Sequence, residues 1–449
     1  MRTFCNSRNP ILPPDIHIPD SEAHVMPDGR LCLYGSFDSR DDVFCSTEYH
    51  VVTTPDLENW TVHDAALLGG DVPWFNNPRA PHYPGIDWRH PTPFIRRMMA
   101  EDEKNGVDLK AKFSKPNGPE PPLLFAPDCL YRQGRYYLYF CMKDNSEGVA
   151  VADRPEGPFR NPVQLPCGGI DPAVFADDDG QVYFYWGQLH SHGVRLAKDL
   201  VSFDPAEIVD DLVTEEEHYF HEGSSLRKIN GRYYYLYADI QRGKPTALGY
   251  AIGESPLGPF RYQGILIDNA ACDPQSWNNH GSIECVNGQW YVFYHRSSGN
   301  SQLHRRLCME PITIAADGTI AEVRMTSQGA GQPYAPGEKI PAYQACEVGS
   351  GAYIDGGTTE SQPPFVQLCA GGSAVFRYFR CESPCSKARL RCSGKGKAAL
   401  LAGEKTVCLF DVQSAGSTEA AAELPAGQWE LTLHALDGGF LQVSDLVLE

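Results

Sequence analysis

Five times along this chain a glycine turn leads into an aromatic-rich, alternating run. The pairs are Asp28-Gly29-Arg30 with LCLYGS, Gln133-Gly134-Arg135 with YYLYF, Asp179-Gly180-Gln181 with VYFYWG, Asn230-Gly231-Arg232 with YYYLYAD and Asn287-Gly288-Gln289 with WYVFYHR. A polar residue followed by glycine is a strong hairpin signal. The run after it puts successive side chains on opposite faces, as a half-buried strand does. The glycines at 29, 134, 180, 231 and 288 are 105, 46, 51 and 57 residues apart, and a period near 50 residues is the size of a four-stranded propeller blade. A second element repeats too. GVAVADRPEGPFR at 148–160 is mirrored by LGYAIGESPLGPFR at 248–261, with looser copies at 49–60 and 193–203. The 22 Tyr suit strands, and the 42 Gly and 35 Pro supply turns. The chain is therefore expected to be all-β, with a five-bladed β-propeller.

The first spacing is about double the others, and residues 70–122 account for it as an insertion in blade one. WFNNPRAPHYPGIDW reads as loop, FIRRMMAEDEKNG has helical composition ending in Asn105-Gly106, and a Pro-rich stretch follows. The repeat ends after Pro311. Residues 330–345, rich in Gly, Ala and Pro, read as a linker. Residues 346–449 hold short apolar runs such as SAVFRYF, TVCLFDV and QWELTLHAL separated by Gly and Ser, the pattern of a β-sandwich. The expected organisation is a propeller over 1–329, a linker over 330–345 and a sandwich over 346–449.

Innermost strands of a propeller converge on its axis, and each precedes its glycine turn. The segments there are IPDSEAHVMPDG with Asp20, Glu22 and His24, LFAPDCLYRQG with Asp128, and GIDPAVFADDDG with Asp171. FHEGSSLRKING with Glu222 and NNHGSIECVNG with His280 and Glu284 complete the set. One lone acid before a strand is ordinarily a turn residue or cap. An acid or histidine in every blade makes a ring of ionisable groups, which is costly unless it binds something or holds a proton. Neighbouring carboxylates without a phosphate loop or metal cage point to glycoside hydrolysis. That chemistry needs one protonated acid and one ionised carboxylate, and a third carboxylate raises the acid's pKa by repulsion.

The rest of the composition excludes other classes. A net charge of −19 with no Lys/Arg cluster argues against a nucleic-acid partner. No stretch is apolar over the length a bilayer requires, so no membrane partner is expected. Fifteen cysteines, an odd number without a C-x-x-C pair, read as reduced, buried thiols. The first ten residues carry no apolar core of a signal peptide. Both features suggest a cytoplasmic location.

Over residues 10–315 the chain resembles glycoside hydrolase family 43. The resemblance rests on Asp20, Ala126-Pro127-Asp128, Asp171-Pro172, Glu222-Gly223-Ser224 and His280-Gly281-Ser282, in that order. It implies an inverting enzyme that releases α-L-arabinofuranose or β-D-xylose from plant-derived oligosaccharide. Asp20 would be the general base, Asp171 the pKa modulator and Glu222 the general acid. His280 would contact an axial calcium ion through water, and Arg296, in FYHR, would lie near the sugar. Asp128 would be a binding or supporting residue. Many family members read Asp-Pro in blade one, whereas here Pro19 precedes Asp20 and Ser21 follows. That departure leaves Glu22 as a rival base, because alternation puts Asp20, Glu22 and His24 on one face. Trp88, Trp186 and Trp277 are candidates for stacking on a sugar. The tail vaguely resembles family 6 carbohydrate-binding modules. A non-catalytic carbohydrate-binding propeller and a phosphorylase-like relative remain the alternatives.

Overall fold

The structure is a computed structural model describing residues 1–449 except 78, 82, 84, 107, 113–119 and 358–362, and the side chains of 111 and 112. Its first part is a five-bladed propeller. Blade one runs, from the axis outward, through strands Glu22–Val25, Leu31–Tyr34, Glu48–Thr54 and Asn59–Leu68, with Arg2–Cys5 added at the rim. Blade two is Asp128–Arg132, Arg135–Cys141, Ser146–Ala152 and Arg160–Gly168. Blade three begins at Ala173–Ala176 and blade four at Phe220–Ile229, each with four strands. Blade five has three: Ser282–Val286, Gln289–Ser298 and Ser301–Ile312. The innermost strands neighbour one another in chain order, and the fifth meets the first.

The glycine turns take two forms. In blades two, four and five a two-residue turn has both residues at positive φ, for example Asn230 at 50° and Gly231 at 80°. That geometry matches the twist of the flanking strands and suits Asn-Gly. Blades one and three use five-residue connections in which Gly29 and Gly180 alone take the left-handed conformation, at φ 84° and 86°. Buried aromatic rows from the second strands, such as Tyr233, Tyr235 and Tyr237, pack between adjacent blades.

The ring is closed by the N-terminal segment. The Asn9 side chain donates to the Met309 carbonyl at 2.8 Å and accepts from its N–H at 2.9 Å. The Ile11 N–H donates to the Leu307 carbonyl at 2.9 Å. Residues 9–11 thus line the outer strand of blade five, while Arg2–Cys5 pair with Asn59–Leu68 in blade one.

The insertion contains the helix Pro93–Lys104, with Thr92 as N-cap, Pro93 in its first turn and Asn105 as C-cap. The Pro-rich stretch after it falls partly outside the described residues. The C-terminal part is a β-sandwich over one apolar core. Its 18-residue strand Cys385–Ala402 pairs with Phe440–Leu448 through its first half and with Gly427–Ala435 through its second.

Residues 330–345, expected as a linker, are packed into the sandwich. Tyr334 is 1% exposed, its N–H bonds the Tyr378 carbonyl, and Ile340–Pro341 pairs with the last strand. The Gly and Pro content there serves tight turns rather than freedom. The sandwich in turn docks on blades four and five. The Val348 N–H meets the Ala271 carbonyl at 2.7 Å, and Cys346 shares an apolar cluster with Tyr250, Tyr294 and Ile320. Arg377, fully buried, donates to the Met325 carbonyl at 2.9 Å and pairs with Glu347 and Glu430. All fifteen cysteines are free thiols.

Candidate active site

A cavity of about 330 Å³ opens at one end of the axis, with Asp20, Asp171, Glu222, His280 and Arg305 in its lining. Backbone geometry delivers the acids. Asp20 and Asp171 hold equivalent places before the inner strands of blades one and three, and both sit in the left-handed region at φ 56°. Aspartate tolerates that region better than most residues, and a non-glycine residue held there commonly marks a functional position. The turn ends strict alternation at Asp20, so Glu22 points elsewhere although it lies only two residues on. Glu222 is followed by Gly223 at φ 77° and a register shift in its strand. A Cβ on Gly223 would stand 3.1 Å from the His280 ring.

The environments of the carboxylates differ. Burial alone would push Asp20 up, but the Arg305 guanidinium at 2.7 Å, with His295, His280 and a Ser36 hydroxyl, holds it below the ordinary carboxylate value. Asp171 goes the other way. Burial, the Glu222 carboxylate and Asp20 raise it well above that value. Glu222 accepts from the Gln188 amide at 2.6 Å, and Asn278 Nδ2 stands 3.4 Å from its other oxygen. His280 Nδ1 lies 3.9 Å from both Asp20 Oδ1 and Asp171 Oδ2. Burial lowers the pKa of His280 and brings that of His295 to about 3.

The other sequence candidates fall into different places. Trp277 lines the cavity. Trp186 is 3% exposed in the core of blade three, stacked with Phe184, His192 and Phe203, and borders a neighbouring cavity instead. Trp88 packs in the apolar cluster under the inserted helix. Asp128 lies deeper on the axis, accepting from His24 at 2.6 Å and from the Cys129 and Val174 N–H groups, and does not line the cavity. Glu22 is engaged by Arg227 at 3.0 Å, also outside the cavity.

Arg296 is not at the cavity. Its guanidinium donates to the Tyr294 hydroxyl, Glu310 and the Thr326 carbonyl. Alternation along Gln289–Ser298 turns His295, not Arg296, toward Asp20, at 3.5 Å. The arginine beside the acids is Arg305 on the next strand, which also bonds Asp38 at 2.9 Å. Arg305, His295, Gln188, Ser36 and Asn278 carry no motif of their own, so only the fold reveals them.

Two donor sets lie on the axis. Among the described residues, Glu22, His24 and Asp128 have ligand atoms within 4.8 Å of one another, a grouping that a metal ion can use. Arg227 already supplies countercharge there, and both Asp128 oxygens are bonded. That set falls short of the roughly six to eight oxygens calcium takes. Near the cavity, the His280 ring, 3.9 Å from both the Asp20 and the Asp171 carboxylates, fits a cation only with water completing its shell.

A cavity of segregated carboxylates at the axis of a five-bladed propeller defines a hydrolase of glycosidic bonds, and the comparisons agree. The sequence profile of the glycosyl hydrolases family 43 matches residues 101–320. A β-xylosidase of Xylanibacter ruminicola is 34% identical, the match covering 45% of this chain and 74% of that protein. A xylosidase/arabinosidase of Thermoclostridium stercorarium is 27% identical over 93% of this chain and 90% of its own. The solved structure of CoXyl43, a β-xylosidase/α-arabinofuranosidase from a compost metagenome in complex with xylotriose, is 26% identical with a TM-score of 0.54, covering 72% of this chain and 99% of that one. An arabinoxylan arabinofuranohydrolase from Bacillus subtilis, 22% identical with a TM-score of 0.53, shares the fold over 99% of this chain and 97% of its own. The chain belongs to glycosyl hydrolase family 43 and is a glycoside hydrolase.

Proposed function

We propose that this enzyme removes a terminal pentose, α-L-arabinofuranose or β-D-xylose, from plant-derived oligosaccharides with inversion. The observation that carries the reading is the contrast between acids lining one cavity: Asp20 is bonded by the Arg305 guanidinium at 2.7 Å, which lowers its pKa, whereas Asp171 is buried beside Glu222 and Asp20, which raise its own. Separated pKa values are how a site divides acid from base work. In this reading Asp20 takes a proton from water as the water attacks the anomeric carbon. Glu222 gives a proton to the leaving oxygen, its carboxyl oriented by Gln188. Asp171, whose own ionisation is opposed by burial and by the Glu222 carboxylate, is the carboxyl that modulates the acid in this reading. The pentose follows from relatives described as xylosidases and arabinosidases.

Calcium held through water against His280 belongs to this reading and would supply a fixed positive charge beside the acids. Removing calcium with a chelator and restoring it should move the melting temperature. No movement would remove calcium from the scheme.

The deciding experiment is a panel of nitrophenyl glycosides with the released anomer followed by NMR. Turnover of a pentoside with inversion is expected, and Glu222→Gln and Asp20→Asn should each lower kcat/KM by about a thousandfold or more. Full activity in both variants would refute the assignment.

A further inference from the structure

The inserted helix Pro93–Lys104 forms one side of the sugar cavity, through Phe94, Ile95 and Met98. The carboxylates line the same cavity, so its lining is apolar at the helix and ionisable at Asp20, Asp171 and Glu222. The helix packs on Leu189 and Ile240 through Phe94 and Ile95, and a buried acid fixes its first turn. Glu215 is 6% exposed and spends both oxygens on the insertion, accepting from the Phe94 N–H at 2.8 Å and facing Arg97 at 3.4 Å. It belongs to the short helix Glu215–His218, which leads straight into the strand Phe220–Ile229 carrying Glu222. The Phe94 ring meets His221 edge-on at 4.8 Å, and His221 Nε2 is 3.8 Å from Glu222. Phe94 also lies 6.3 Å from Trp277.

We propose that the inserted helix is the specificity wall of the sugar pocket and that Glu215 is its positioning residue, holding Phe94 against His221 so that the pocket accepts one terminal sugar unit. Three observations converge. The acid that pins the wall and the acid of the site lie in one continuous segment, so wall and carboxylate are registered to each other. The wall is apolar where a sugar ring presents its C–H face, and aromatic rings stack on such faces. The cavity, about 330 Å³, lies at the small end of the roughly 300–1,000 Å³ spanned by ligand pockets. Ile86, Ile170, Gln188 and Leu189 are shared with a neighbouring cavity of about 480 Å³, which leaves room for the rest of the chain beyond the terminal unit. The inference rests on the glycosidase reading above.

The test compares Glu215→Ala, Glu215→Gln and Phe94→Ala with the wild type. Readouts are steady-state kinetics on the preferred nitrophenyl pentoside and trypsin cleavage at Arg96 and Arg97. Glu215→Ala is expected to raise KM about tenfold with kcat within about twofold, the signature of lost binding that is equal in ground and transition state. It should also speed cleavage in the helix. Glu215→Gln keeps an acceptor for the Phe94 N–H and should fall between. Phe94→Ala should raise KM with the helix still resistant, and it carries the test where Glu215→Ala fails to fold. Faster cleavage in Glu215→Ala with unchanged KM, or unchanged KM in Phe94→Ala, overturns the proposal. Should the wild type cleave no glycoside, the hydrolase reading fails on its own. Calorimetry with xylose and arabinose then decides the wall. About tenfold weaker binding by Phe94→Ala supports it, whereas equal affinity, or no binding by the wild type, overturns it.

Discussion

Arg305 bonds Asp20 and Asp38 from one buried guanidinium. Its loss would leave two buried acids without their cation, a change that ordinarily costs about 3–5 kcal/mol. It would also move a titration. Asp20 lies below its ordinary value because its charged form is paired, so the stability and activity tied to that charge exist above the unfolded pKa and fade as pH falls through the folded one. In Arg305→Met burial dominates, and the acid limb of kcat/KM should shift upward by about one unit or more, read from a pH–rate profile. An unshifted limb would mean that Asp20 is not the group titrating there. The acids themselves were legible because each sits before a repeated turn. Arg305 was not, since it lies on an outer strand with no repeat partner. Arg296 misled because a one-residue step along a strand reverses the face, and no pattern in FYHR tells which side meets the axis.

Two glycines separate turn-making from site-making. Gly231 has φ 80° with open space where a side chain would project, whereas Gly223 has φ 77° and the His280 ring in the way. Gly231→Ala should lower stability by about 1 kcal/mol through backbone strain and leave turnover intact. Gly223→Ala should lower stability and also reduce kcat, because the displaced ring lies between Asp20 and Asp171. Thermal melts with kinetics on both proteins distinguish the two roles. At this scale the sequence read well. Asn-Gly turns announced hairpins, and the Asn105-Gly106 end announced the inserted helix. What anchors that helix was closed to sequence reasoning, because Glu215 lies 118 positions from Arg97 and looks like an ordinary surface acid.

The two parts of the molecule share buried surface, so they are not independent. A chain cut after residue 329 would uncover Ile320, Tyr294 and Met325, now packed with Cys346, and would strip Met325 of the Arg377 contact. Such a fragment should melt more than about 5 °C below the full chain or precipitate, as differential scanning fluorimetry would show. Equal melting would mean that the sandwich only rides on the propeller. The count of blades and the sandwich were visible from repeats and turn spacing. The packed character of residues 330–345 was not, since Gly, Ala and Pro compose tight turns and loose tethers alike. The ring closure at Asn9 sets an order of events during synthesis. Its partner, Met309, lies 300 positions later. The segment around Asn9 therefore waits through the synthesis of all five blades for the edge it will complete, and the circle cannot lock until the fifth blade has emerged.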